Sequence, residues 1–280
     1  MDFFGFSTDR KKGVDNHHRN ITIVESGEER SESMVFIGEE PLSIRIQGSA
    51  YAVVMRTPGG EKAHVAGFCL GEGIVDNPED ITNIAFCDGE DTNVVTVTLT
   101  AARRTQISDH LDRRTYISQT SCGICGKSIV TDLVQALSPV VDGEPLDGKG
   151  ALDRLLRLGD YQPMRDKTRA AHGAAIYDHA FNQLSVAEDV GRHNALDKAI
   201  GCLFLDGRLP QARLLTLSSR ISYELVQKSA RARIPVILAI SRPTSLAVEL
   251  ATALNITLAS LGKGDSLMVY CNPQRLVWPR

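Results

Sequence analysis

No apolar run in the 280 residues reaches the roughly 18–20 positions a membrane-spanning helix needs, so a helical membrane protein is not expected. The first twenty residues carry basic side chains but no apolar core, which argues against a secretory signal. They read as a disordered polar tail, with His17-His18 solvated rather than ligating a metal. Six cysteines are too few for a disulfide framework in so long a chain, which points to a reducing compartment and a cytoplasmic protein. Charge is equally unremarkable. A net charge of −3 and a pI near 6.2 give no reason to expect nucleic acid or an anionic membrane as a partner. No internal repeat is visible. What is present, 42% hydrophobic and 23% charged residues, is enough to bury an ample core, in two domains at this length.

Patterning supplies the elements. Residues 21–25 and 34–37 read as short strands, and 41–57 as a hairpin turning at Gln47-Gly48-Ser49. Residues 61–71 have helical spacing through Val65, Phe68 and Cys69, which makes Cys69 a buried thiol. A second hairpin joins 81–87 to 94–100 across Asp88-Gly89-Glu90-Asp91. Residues 103–116 read as a polar, basic helix whose Arg103, Arg104, Arg113 and Arg114 form a solvated face or hold an anion. The glycine, proline and acidic residues of 141–150 mark a linker. Beyond it strands are expected at 174–177, 184–187, 213–217, 235–240, 256–260 and 267–271, with helices at 192–204, 221–233 and 246–254. Leu214-Leu215-Thr216-Leu217 and Val236-Ile237-Leu238-Ala239-Ile240 are apolar on both faces, so they belong in the middle of a partly parallel sheet covered by helices. The expected fold is α/β. A three-layer α/β domain over 151–280 follows a smaller α+β domain over 21–150 and a tail over 1–20.

The paired cysteines lie in Thr120-Ser121-Cys122-Gly123-Ile124-Cys125-Gly126-Lys127-Ser128. Ile129, Val130, Leu133, Val134 and Leu137 then recur on one helical face, and Ser138-Pro139 ends that helix. The cysteines are thus expected on a glycine-hinged loop entering a helix. Unpaired amides, the helix dipole and Lys127 would favour a thiolate there and lower its pKa. Four chemistries use such a pair. A zinc half-site needs two more ligands with local spacing, and Cys69, Cys87, Cys202 and Cys271 each stand alone. A thioredoxin-type dithiol needs a core strand directly before it, whereas 115–120 is polar. A phosphate loop fits Gly126-Lys127-Ser128 but has Ser121 in place of its first glycine. A sulfur-carrying loop needs an attacking thiolate able to hold a sulfane sulfur, and glycines that let the loop swing.

Three further stretches put polar side chains at junctions of strands with helices or turns, where open α/β sheets bind ligands. One joins His172-Gly173-Ala174-Ala175 with Glu188-Asp189-Val190-Gly191-Arg192-His193-Asn194-Ala195-Leu196-Asp197-Lys198. A plain N-capped helix with surface charges would look the same. The second is Ser218-Ser219-Arg220-Ile221-Ser222-Tyr223-Glu224, rich in donors suited to phosphate. The third is Leu261-Gly262-Lys263-Gly264-Asp265-Ser266, whose glycines would let amides and one ammonium approach a phosphate, as an ordinary hairpin turn also could.

Taken in order, Ser121-Cys122-Gly123-Ile124-Cys125-Gly126, the string from Glu188 to Lys198, and the string from Ser218 through Leu225-Val226-Gln227-Lys228 resemble the FdhD/NarQ family of formate dehydrogenase accessory sulfur carriers. The resemblance runs over about residues 37–276. It implies that a cysteine desulfurase supplies sulfur as a persulfide. That sulfur passes to the molybdenum of a bis(molybdopterin guanine dinucleotide) cofactor needed by formate dehydrogenase. By the match, Cys122 is the persulfide carrier and Cys125 its second loop thiol. Cofactor contacts are implied at Leu261, Gly262, Lys263, Gly264, Asp265 and Ser266, and Arg192, His193, Ser219 and Arg220 are expected to join them. A cysteine desulfurase, the formate dehydrogenase apo-enzyme and a second copy of the chain are the implied partners.

Two departures stand out. Ser121 replaces a usual glycine, and Lys263-Gly264-Asp265-Ser266 stands where the family can carry lysine-proline-glycine-arginine. The resemblance further implies a C-terminal domain similar in fold to cytidine deaminases. Zinc deaminases need H-x-E and a downstream P-C-x-x-C. Here Gly173 and Ala174 follow His172 and no C-x-x-C lies downstream, so neither deaminase chemistry nor a bound metal is expected. The rival reading is a chaperone that shelters the molybdenum cofactor without moving sulfur.

Overall fold

The computed structural model describes residues 17–87, 92–107 and 137–278. Cys122, Cys125, Arg113 and Arg114 lie outside the described residues. Leu42, Ile44 and Ile46 alternate with polar positions in β3 (Glu40–Ile46) and are fully buried, the period-two signature of a half-buried strand. Gln47 and Gly48, both at positive φ, turn the chain into antiparallel β4 (Ser49–Arg56). A crossover through α1 (Glu61–Gly71) leads by way of β5 (Ile81–Phe86) to β6 (Val94–Leu99). β6 is parallel to β3 and antiparallel to β5, giving a four-stranded sheet in the order β4-β3-β6-β5. A separate ribbon of β1 (His17–Glu25) and β2 (Glu28–Phe36) precedes it. Its strands are longer than the expected 21–25 and 34–37, and β1 begins inside the stretch read as tail.

The larger sheet has six strands in the order β13 (Leu267–Cys271), β12 (Thr257–Leu261), β11 (Val236–Ala239), β10 (Leu214–Leu217), β8 (His172–Tyr177) and β9 (Gln183–Asp189). β10, β11 and β12 are parallel; the outer pairings are antiparallel. β10 and β11 are buried throughout, as their two-sided apolar runs require. Side chains of β8 alternate between two cores. Ala174 and Ile176 join a cluster with the helices α1, α5 (Arg192–Leu205), α6 (Tyr223–Arg231) and α7 (Ser245–Ala253) and with the inner faces of β3 and β6. Ala175 and Tyr177 face α3 (Gly148–Leu156) on the other side. The layers are therefore helix, six-stranded sheet, helices, four-stranded sheet: a mixed α/β fold whose middle helices serve both sheets.

Two expectations are corrected. The linker expected over 141–150 instead holds β7 (Leu146–Asp147), paired with β14 (Leu276–Val277), and the start of α3, capped by the Asp147 carboxylate accepting from the amides of Lys149 and Gly150. Gly148 and Gly150 serve close packing rather than flexibility, whereas Gly143 has nothing within 4 Å. A Cβ on Gly148 would come 2.7 Å from the Trp278 ring, and one on Gly150 2.5 Å from Phe181. The basic helix expected over 103–116 is, in its described part, the short α2 (Ala101–Gln106). Its Arg103 is buried and donates to the carbonyls of Ile74 and Gly73 while pairing with Asp76. That arginine is a structural clamp. Among the described residues no helix is long and apolar enough to cross a membrane.

Candidate functional site

Because β10, β11 and β12 are parallel, their carboxyl ends share one edge of the sheet. The pairings Leu217↔Ala174 and His172↔Asp189 bring the start of β8 and the end of β9 to that same edge. The residues singled out by sequence as ligand contacts therefore lie along one rim: Arg192 and His193 after β9, Ser219 and Arg220 after β10, and the 261–266 turn after β12. With neighbouring strands about 4.8 Å apart, the rim from β12 to β9 measures about 19 Å.

The charges behind the rim are not on the surface. Asp189 ends β9 fully buried and accepts from the amides of Thr57 (3.1 Å) and Gly191 (2.8 Å), from the Asn194 side chain (2.9 Å) and from Lys198 Nζ (2.7 Å). Lys198 also donates to the Thr57 carbonyl at 2.7 Å, and the Thr57 hydroxyl accepts from the Val190 amide at 3.0 Å. This knot ties the end of β4 to the end of β9, and with it the small sheet to the large one. One helical turn on, Asp197 meets Lys228 of α6 at 2.8 Å; burial pushes the Asp197 carboxyl up against the pull of that ammonium. Asp189, Asp197, Lys198 and Lys228 thus form the internal frame rather than a helix with surface charges.

In front of the frame the rim is cationic. His193 Nε2 is 2.7 Å from Glu224 and 3.3 Å from the Ser222 hydroxyl, and its hydrogen bond holds the Glu224 carboxyl below the usual range. The other rim cations, Arg192, Arg220, Arg242 and Lys263, have no carboxylate within ion-pair distance among the described residues; nor do Arg165 and Arg169, just before β8. At the opposite edge arginines are engaged. Arg231 and Arg103 share Asp76, Arg275 pairs with Asp142, and Arg233 donates to the carbonyls of Ser138 and Pro139. The 261–266 stretch closes on itself as a turn, with Gly262 N–H to the Ser266 carbonyl and Ser266 hydroxyl to the Lys263 carbonyl, both 2.7 Å. Gly264 and Asp265 are at positive φ, and Lys263 is left exposed. The buried Ser219 donates its hydroxyl to the Arg220 carbonyl, while the Arg220 side chain is exposed.

A half-open cavity of about 330 Å³ at the β8 end is lined by Arg165, Arg169, Ala170, Ala171, His172 and Ser218. Sequence reasoning missed Arg165 and Arg169. Two arginines four residues apart, just ahead of the strand opening at His172, were the available signal. Burial, then the neighbouring Arg192, Arg165 and His193, hold the His172 pKa below its ordinary value. Of the described cysteines, Cys69 and Cys271 are buried, and burial pushes both thiols up; Cys87 and Cys202 are exposed. Among the described residues no three His, Cys, Asp or Glu side chains gather as a metal site would need.

Known proteins resemble this chain over most of its length. A crystal structure from Desulfotalea psychrophila, described as a formate dehydrogenase accessory protein, superposes with a TM-score of 0.74 over 94% of this chain and 99% of its own, at 21% identity. A Streptomyces coelicolor protein named sulfur carrier protein FdhD is 37% identical over 269 residues, covering 92% of this chain and 94% of that one. One of the same name from Mycobacterium tuberculosis is 36% identical over 278 residues, covering 94% and 99%. The sequence model of the FdhD/NarQ family matches residues 37–277, and the chain belongs to that family.

Proposed function

We propose that this protein is a cytoplasmic sulfur carrier for formate dehydrogenase. The Cys122 thiolate attacks the outer sulfur of a cysteine desulfurase persulfide, the desulfurase thiolate leaves, and Cys122 holds the sulfane sulfur. The acceptor substrate is the molybdenum of a bis(molybdopterin guanine dinucleotide) cofactor destined for the apo-enzyme. Cys125, as second thiol, is poised to compete for the bound sulfur. The relatives' names support the sulfur step. The observation that carries the acceptor is a row of cations along one sheet edge, Arg192, Arg220, Arg242 and Lys263, that have no carboxylate partner among the described residues, which suits the phosphates of a dinucleotide. A dinucleotide laid along that edge would run past Ser219 and His193 toward the 261–266 turn.

Intact mass after incubation with a desulfurase and cysteine tests the reading. A reductant-labile gain of roughly 32 Da is expected, retained in Cys125→Ala and abolished in Cys122→Ala. If no variant gains sulfur, and Cys122→Ala still activates formate dehydrogenase, the protein shelters the cofactor without carrying sulfur.

A further inference from the structure

We propose that the cavity at the β8 end of the rim is a phosphate subsite, in which Arg165, Arg169, His172 and Ser218 hold a phosphate group and His172 takes up a proton from solvent as the anion enters. The proposal deepens the dinucleotide reading above and rests on it only for the source of the phosphate.

Arg165 lies on α4 (Pro163–Thr168) and Arg169 closes that turn at φ 56°. Among the described residues the closest side-chain partner of the Arg165 guanidinium is the amide oxygen of Gln162, at 3.4 Å. The nearby carboxylate, Glu188, is already engaged: it accepts from the amides of Met164 and Arg165 at 2.8 Å each. It occupies the amino end of α4, so an anion in the cavity would be held by side chains. Ala170 and Ala171 have no side chain larger than a methyl group to fill the cavity, which leaves room for a tetrahedral anion. The Ser218 hydroxyl oxygen accepts from the Gly173 amide at 2.9 Å, leaving its proton to donate forward. Behind Gly173 sits Gln162, 1% exposed and so close that a Cβ would come 2.6 Å from its amide carbon; its Nε2 has no partner among the described residues.

His172 faces Arg165 from α4, Arg192 and His193 from the start of α5, and Asp189 from β9. Three of these four neighbours favour the neutral ring. A doubly charged phosphate among the same groups reverses the local field, and the imidazolium then adds one more donor.

The test uses the full chain with inorganic pyrophosphate, GDP and guanosine as probes. Calorimetry reads affinity, and the His172 ring signal, assigned through His172→Gln, is followed by NMR across pH. Saturable binding of pyrophosphate and GDP is expected, with the His172 pKa rising by roughly one unit or more on binding. Arg165→Ala with Arg169→Ala should weaken GDP roughly tenfold or more and leave guanosine unchanged. Arg169 is exposed and Arg165 half-buried, and the amide spectrum reports whether the fold is intact. GDP tighter than pyrophosphate assigns the phosphate to a nucleotide; equal affinity assigns it to the free anion, and either supports the subsite. Absence of saturable binding, unaltered GDP affinity in the double variant, or an unmoved His172 overturns it. A chain that binds GDP here yet gains no sulfur on Cys122 sinks the carrier reading and leaves the subsite standing.

Discussion

His64 is fully buried on α1, and burial together with Lys198, Lys228 and Arg56 holds its pKa down at about 3. In the unfolded chain it titrates near 6.5. Above that value both states are neutral and the group has no pH-dependent effect. Between about 6.5 and 3 only the unfolded chain binds the proton, so stability falls with acid by about 1.4 kcal/mol per pH unit. Urea midpoints at pH 7 and pH 4.5 should therefore drop more for the parent chain than for His64→Leu, which has nothing to titrate. An equal drop in both would mean that the acid sensitivity comes from elsewhere.

At the scale of elements the middle layer depends on two glycines. Gly67 on α1 and Gly201 on α5 sit where the helices cross so closely that a Cβ on Gly67 would overlap the Asp197 carbonyl, and one on Gly201 the Ala63 carbonyl. Both obstacles are backbone, so neither can rotate away. Gly201→Ala must push the helices apart and is expected to cost more than about 3 kcal/mol, beyond ordinary overpacking. Gly143→Ala, with nothing within 4 Å of its Cβ, should stay within about 0.5 kcal/mol. Thermal melts of the two variants decide the point. The crossing was not legible in the sequence, because nothing local tells a glycine that lets two helices touch from one that bends a loop. The same ambiguity turned Gly148 and Gly150 into a linker when they are the packed start of α3. β3 was legible from its alternation, β10 and β11 from continuous apolar runs that require burial on both faces, and α1 and α5 from apolar residues at helical spacing.

For the whole molecule, what could be read was which strand ends carry ligand-type residues, and what could not was which of them are buried and paired. Arg192, Arg220 and Lys263 lie at strand ends, as their place in the sequence suggests, whereas Asp189, Asp197 and Lys198 close to Arg192 in sequence are the internal frame. Pairing across more than a hundred residues, as between Thr57 and Asp189, leaves no local trace. The resulting division of labour between the two sheet edges is itself testable. At the amino edge Asp76 holds both Arg103 and Arg231, and Asp76→Ala leaves each guanidinium with its backbone-carbonyl acceptors but without that charge partner. Since Asp76 is itself half exposed, the cost should be about 1 kcal/mol, a fall in Tm of roughly 2–4 °C, with GDP affinity unchanged. At the carboxyl edge Arg242 has no carboxylate partner among the described residues. Arg242→Ala should leave Tm in place, weaken GDP several-fold, and flatten the fall of affinity with added salt, because one attraction that salt screens has gone. If Arg242→Ala leaves both Tm and GDP affinity unchanged, the rim is ordinary solvated surface and Arg242 does not hold the dinucleotide.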